Sequence, residues 1–315
     1  MSRFRIFVFS MLAVFFSGGI CYGQSLDQTW KREKKEFLFG VGASNFLGDL
    51  GGLDKIGTHY VPVDIDWNTT RPCGHVGYRF RLGPRFATKT LFQYSILKGD
   101  DALTNEPSRR NRNLSFRTHL IEFSQHIELI LFNFSNNGGS RYKIWGLKGV
   151  RNQNKTLYLY TGVSGFGFIP QGPGDGGWTN LRPLHTEGQG LTGGGKEYKK
   201  IGLGIPVGIG YKLAIDQLWR ISFELSYTQT FTDYLDDVSG VYFDNDAILE
   251  SYGSTSAYFA DPSKGAFPTW TTAGELRGDS KHKDGYMYLN VSFVRNLSAK
   301  GMKRVKFKYR RRVKF

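Results

Sequence analysis

A chain of 315 residues with a formal charge of +15, 40 glycines and 15 % aromatic residues is long enough for one large domain with extended loops. Beyond the first two dozen residues it has no run of about 18 apolar residues, which excludes a helical membrane protein. Of its two cysteines, Cys21 lies inside an N-terminal export segment and only Cys73 beyond it, which excludes an internal disulfide framework in the mature chain.

Arg3 and Arg5 precede the apolar run Ile6 to Phe16, and small residues follow as far as Cys21-Tyr22-Gly23. This is the layout of a Sec-type signal peptide over residues 1–23, cleaved after Gly23. Acylation at Cys21 is disfavoured by the bulky Ile20 before it. Cleavage leaves 292 residues, a charge of +13 and Cys73 alone. Residues 24–35 read as a short periplasmic lead-in.

From Phe37 the chain alternates. Phe37, Phe39, Val41 and Ala43 face one way and Leu38, Gly40, Gly42 and Ser44 the other, a period of two that predicts a strand ending in the turn Gly48-Asp49-Leu50-Gly51-Gly52. A long loop leads to Cys73. The second strand sets Val76, Tyr78, Phe80 and Leu82 against His75, Gly77, Arg79 and Arg81, and turns at Gly83-Pro84-Arg85. The third, Lys89 to Lys98, points Phe92, Tyr94 and Ile96 outward, and polar residues Asp100 to Asn113 form the next loop. The fourth, Leu120 to Leu131, sets Ile121, Phe123, Ile127, Leu129 and Leu131 against Glu122, Ser124, His126 and Glu128. The polar connection 135–156 is long for its side. A fifth strand, Leu157 to Phe168, has no clear phase, and 169–198 reads as a glycine-rich loop.

The strongest signal is the hairpin Lys200 to Thr230. Ile201, Leu203, Ile205, Val207, Ile209, Tyr211 and Leu213 share one face, Lys200, four glycines, Pro206 and Lys212 the other; Trp219, Ile221, Phe223, Leu225 and Tyr227 then repeat the pattern against Arg220, Ser222, Glu224, Ser226 and Thr228. The longest loop, 235–284, precedes the eighth strand, which points Met287, Leu289, Val291 and Phe293 outward.

Runs of this length, apolar outside and polar inside, predict an all-β protein: an eight-stranded antiparallel transmembrane outer-membrane β-barrel over residues 36–297, with long external loops alternating with tight periplasmic turns. An eight-stranded barrel leaves a lumen filled by its own side chains. The inward charges Arg79, Arg81, Glu122, Glu128, Arg220 and Glu224 are therefore expected to pair with one another, because buried charge needs a partner. A passive porin is not expected.

Gly172 to Gly177 and Gly190 to Lys196 imitate nucleotide-binding glycine spacings, but neither follows a parallel strand or opens a helix, so both read as loop. His119 and His126 have opposite parity and do not form a metal pair. Arg277-Gly278-Asp279 invites an adhesion reading that chance explains better in a chain rich in Arg and Gly. Asp233, Asp236 and Asp237 offer carboxylate oxygens to Ca2+ but lack the spacing of a calcium loop, and read as an anchor at a strand end. No catalytic residue, cofactor or metal is expected.

Nine of the Lys and Arg residues lie between Lys300 and Lys314. Val305, Phe307 and Tyr309 alternate with Arg304, Lys306, Lys308 and Arg310, but a closing strand here would make nine and turn Arg311 toward lipid. Residues 298–315 instead read as a basic periplasmic tail in which Lys303, Arg304, Lys306, Lys308, Arg310, Arg311 and Arg312 dock an acidic partner or add a strand to it; the competing reading is a solvated basic end touching anionic lipid head groups. Nucleic acid is not an expected partner of an exported barrel.

Three stretches then stand out together: Ser44-Asn45-Phe46-Leu47-Gly48-Asp49-Leu50-Gly51, Arg112-Asn113-Leu114-Ser115-Phe116, and Thr232-Asp233-Tyr234-Leu235-Asp236-Asp237-Val238-Ser239. With Asn45, Gly48, Asp49, Asp233, Tyr234, Asp236 and Asp237 at its centre, this set resembles the PorG-like outer-membrane barrels of Bacteroidetes, over roughly Phe37 to Leu297. The resemblance implies a non-enzymatic outer-membrane component of the type IX secretion apparatus, associated with a periplasmic ring built from a lipoprotein and its partner. It transfers no active residues. The contrasting expectation is a surface adhesin or ligand-binding barrel working through residues 235–284; an envelope enzyme or narrow channel is a third.

Overall fold

Opposite demands on alternate residues shape the whole chain: one face of each strand must suit lipid and the other a crowded lumen. The computed structural model describes residues 34–50, 68–104, 106–134, 155–174, 176–215, 218–263 and 265–298. Its strands are β1 (Lys35–Leu47), β2 (Arg71–Arg81), β3 (Phe86–Asp100), β4 (Ser115–Phe134), β5 (Lys155–Gly174), β6 (Gly177–Asn180), β7 (Ile201–Ala214), β8 (Trp219–Thr230) and β9 (Gly285–Asn296). Every pairing is antiparallel. The eight long strands run in the order β4-β3-β2-β1-β9-β8-β7-β5, and β4 pairs again with β5 to close the ring. Closure satisfies the backbone groups that lipid cannot. Short β6 lies outside the wall, folding back on the outer end of β5.

Two connections at one end are tight: Leu82 N donates to Phe86 O at 2.9 Å, and Ile215 N to Trp219 O at 3.0 Å. Apart from the connection between β4 and β5, which joins them at this same end, the long connections lie at the other end, which is therefore external. They carry three short helices, α1 (Pro107–Arg112), α2 (Asn245–Tyr252) and α3 (Ser254–Ala260). Among the described residues no helix is long and apolar enough to cross a membrane; the crossing is made by strands.

The outer surface cannot belong in water. Ile201 is 74 % exposed, Val41 71 % and Val163 66 %, within a continuous belt of Phe, Ile, Leu and Val. The inward face is buried throughout, including Lys89, Glu128, Gln93 and Tyr158.

Expected strand positions and outward faces agree with this wall, with corrections. Met287 keeps outward parity yet is buried, facing Tyr227 and Asn45 across its two neighbours. The fifth strand continues to Gly174, so Gly172, Pro173 and Gly174 pair with Thr179, Trp178 and Gly177 in a hairpin and are not loop. Gly190 to Lys196 is a folded turn held by Gly190 N donating to Gly195 O at 3.1 Å. Because β9 pairs with β1 along its length, the wall has no open edge for a further closing strand. The signal peptide and the tail residues Lys303, Arg304, Lys306, Lys308, Arg310, Arg311 and Arg312 lie outside the described residues.

Candidate functional site

Inside the wall the charges form a connected ladder. At the lower end the Glu36 carboxylate receives Lys212 at 2.9 Å, Arg220 at 3.2 Å and Arg79 at 3.3 Å. Above it Glu128 lies against Arg79 and 3.7 Å from Lys89, in ionic rather than hydrogen-bonded contact. Lys89 Nζ then donates to both oxygens of Glu224 at 2.7 and 2.8 Å, and Tyr158 OH donates to the same carboxylate at 2.6 Å. The Arg79 guanidinium lies over the Tyr158 ring and the Lys89 ammonium over Tyr160, at 4.6 and 4.3 Å from the ring centroids. Glycine makes room for these rings. A Cβ at Gly210 would fall 2.2 Å from Tyr158, and one at Gly208 2.4 Å from Tyr160.

The expected set is only partly the observed one. Arg79, Glu128, Arg220 and Glu224 belong to the ladder, but their main partners Glu36, Lys89 and Lys212 are not among the expected lumen charges. All three have inward parity, which was the available signal. Arg81 turns to the periplasmic rim and donates to Gly83 O and Pro84 O at 3.2 and 2.9 Å. Glu122 departs from the expected ion pairing. It accepts from Tyr286 and Tyr288 at 2.9 and 3.3 Å, higher in the lumen.

Above Glu122 the lumen turns apolar. Phe46, Leu97, Phe116, Leu120, Phe166 and Phe168 form a tier onto which Leu235 and Val238 are packed from the external loop. The stretch Thr232 to Ser239 thereby stoppers the barrel. Its backbone is held at each step: Leu235 O accepts from Thr118 at 2.5 Å, and Leu235 N donates to Asp284 at 2.9 Å. Asp236 accepts from Val238 N at 3.0 Å, and Asp233 from Ser239 Oγ at 2.6 Å. Asp237, in the left-handed region at φ 66°, accepts from Thr186 at 2.7 Å and from Tyr198. Tyr234 stacks on Tyr198 with centroids 4.5 Å apart.

The other two singled-out stretches meet this stopper. Arg112 binds both oxygens of Asp101 at 2.7 and 2.9 Å, Asp49 O at 2.9 Å and Arg277 O at 2.5 Å. Asp49 Oδ2 accepts from Asp279 N at 2.7 Å. A Cβ at Gly48 would strike Phe46 and Asp284. Asn45 donates to Thr70 at 3.2 Å. Arg277 is buried, donating to Glu187 at 3.1 Å and to Asp237 O at 2.9 Å, so Arg277-Gly278-Asp279 does not present its guanidinium for adhesion.

Burial pushes the carboxyls of Asp233 and Asp237 up to about 6. Asp236 is raised well above the usual carboxylate range by burial and by the negative charge of Asp284 and Asp49, and Asp284 likewise by burial and by Asp233 and Asp49. Among the described residues no group of three or more His, Cys, Asp or Glu side chains is placed to hold a metal ion. Beside the stopper lies a cavity of about 210 Å3 bordered by Leu50, Asn113, Pro173, Val238, Phe259 and Arg277.

Residues 28–170 match a family described as a domain of unknown function (DUF6089). No curated protein matches the sequence. Among solved structures the chain is similar to Ail, the attachment invasion locus protein of Yersinia pestis, in complex with the heparin analogue sucrose octasulfate, at 9 % identity over 83 % of this chain and 99 % of that one, with a TM-score of 0.34. It is similar at the same TM-score to Neisserial surface protein A, at 7 % identity over 83 % and 96 %, and to the outer membrane protein OprG of Pseudomonas aeruginosa, at 8 % over 83 % and 95 %. By its own strand pairing and its apolar belt, the chain is a closed eight-stranded antiparallel β-barrel of the outer-membrane kind.

Proposed function

We propose that this barrel is a non-enzymatic anchor in the outer membrane, a component of a type IX-like protein secretion complex that docks periplasmic ring subunits. The carrying observation is the filled interior: an ion-paired ladder below and an apolar stopper above leave the lumen to side chains, which suits attachment better than transport. The secretion assignment draws its support from the resemblance of the stretches around Asn45, Arg112 and Asp233, which also converge at the external mouth. Docking through the basic residues Lys303 to Arg312 rests on their charge and alternation.

The test is affinity purification of the tagged protein from native envelopes after mild cross-linking, in full-length form and without residues 299–315. Recovery of a periplasmic lipoprotein with the full chain, and its loss with the deletion, supports both halves of the proposal. A folded barrel that recovers no secretion component overturns the secretion role.

One observation favours a second reading. The external loops are folded into a cap with its own cavity, as a ligand-binding barrel requires. Binding of a soluble ligand that survives removal of residues 299–315 but not of residues 240–280 would establish that reading instead.

A further inference from the structure

Register fixes what lies at each height on the lipid-facing wall of β3, β4 and β5. Phe92 pairs with Phe123, and above them Tyr94 with Ile121, both rows apolar and exposed. Next comes Ile96, His119 and Ile169, with His119 Nδ1 2.7 Å from Tyr94 OH. The row above is wholly polar: Lys98, Arg117, Gln171 and Asn180 stand side by side on four successive strands. Residues two apart along a strand rise by about 7 Å. The polar row therefore sits one step above the last apolar positions, at the height of the outer-leaflet head groups.

Within that row Arg117 is held from two directions. Its Nε donates to Gln171 Oε1 at 2.9 Å, and Gln171 Nε2 donates in turn to Asn180 at 2.9 Å. Its guanidinium lies over the ring of Trp178, 4.3 Å from the centroid, on the β5–β6 hairpin that projects past the wall. Among the described residues no carboxylate pairs with it, and its two terminal nitrogens carry no hydrogen bond. Lys98, its cross-strand neighbour, is 3.7 Å from Asp100 in a loose, partly exposed ion pair that an approaching anion would compete for.

A guanidinium fixed at its inner edge and stacked on one face has its outer fork ready for a two-oxygen anion. The wall below it is made for acyl chains. We propose that Arg117, with Lys98 and Trp178, binds the phosphate group of an outer-leaflet glycolipid whose chains lie along Phe92, Phe123 and Ile121. The commitment to a lipid comes from the continuity of the polar row with the apolar wall, and it requires only the membrane orientation, not the secretion role.

The test uses the full-length protein in nanodiscs of phosphatidylethanolamine containing either diphosphorylated lipid A or the same lipid A stripped of phosphate, with retained glycolipid counted by native mass spectrometry. The wild type should keep the phosphorylated form about tenfold better. Arg117→Gln and Trp178→Leu should abolish that preference, while Arg117→Lys, which keeps charge but loses the fork, should fall between; Arg110→Gln, on exposed α1, should behave as wild type. Heat-modifiable migration confirms folding of each variant, and Trp178→Leu, outside the barrel wall, carries the test should Arg117→Gln not fold. Equal retention of both lipids by the wild type, or an undiminished preference in Arg117→Gln or Trp178→Leu, overturns the site. Displacement of the lipid by an equal concentration of inorganic phosphate overturns its assignment to a lipid.

Discussion

Lys89 and Glu224 meet inside the lumen with the ammonium 2.7 and 2.8 Å from the two carboxylate oxygens, and both side chains are buried. The pair joins strands β3 and β8, which are not neighbours in the wall. Lys89→Met leaves the Glu224 charge buried with Tyr158 as its remaining hydrogen-bond donor among the described residues, and a broken buried pair costs about 3–5 kcal/mol. Lys89→Met combined with Glu224→Leu removes both charges and is expected to cost much less than the sum. Urea unfolding midpoints in detergent micelles measure this difference; an additive double variant would show that the two groups do not act as a pair.

Leu235 is fully buried at the tip of the stopper, against residues of the apolar tier. Leu235→Ala should cost about 2–5 kcal/mol, as for other buried leucines. The loss falls on loop docking, not on the wall. Limited proteolysis is therefore expected to cut between residues 231 and 284 much faster in Leu235→Ala, while heat-modifiable migration of the barrel is unchanged. Leu249→Ala, at a half-exposed position of α2, should cut at the wild-type rate.

Strand positions were legible because lipid and lumen impose opposite demands on alternate residues. That signal fails at β5, where Phe166 and Phe168 point inward to meet the stopper, so both faces are apolar and period two loses its phase. Parity also told which charges point inward but not which ones meet. Lys89 reaches Glu224, and Glu36 gathers three cations, because of strand stagger and closure, which alternation does not record. The external mouth was visible only as three separate stretches. Asp49, Arg112 and Asp279 are brought together across more than half the chain, through loops with no periodicity to read.

Protonation should tighten the cap. The Asp237 carboxyl, ordinarily near 3.8, is pushed up to about 6 chiefly by burial, against the pull of Arg277, Tyr198 and Thr186. The docked cap therefore binds a proton that the opened cap releases between about pH 4 and pH 6, and docking weakens as pH rises through that window. By the usual linkage this is worth about 2–3 kcal/mol at most, with Asp233 acting in the same direction. Hydrogen exchange over residues 231–240, corrected for intrinsic rates, should show more protection at pH 5 than at pH 7.5. Asp237→Asn should reduce the difference, leaving the part that Asp233 contributes, and protection that rises with pH would contradict the assignment.

Gly210 and Tyr158 fill one space across the β5–β7 pairing, where a Cβ would lie 2.2 Å from the ring. Gly210→Ala must displace the phenol, and with it the hydroxyl that lies 2.6 Å from Glu224 and 2.8 Å from Ser222. Overpacking of this kind costs about 1–3 kcal/mol. In a Tyr158→Ala background the obstacle is gone, and the same substitution should cost nothing, since alanine suits a strand better than glycine does. Gly83→Ala, with open space around its Cβ, serves as the control for the general effect of adding a methyl group. A Gly210→Ala penalty of equal size with and without the Tyr158 ring would mean that the backbone of β7, not the ring, requires glycine there.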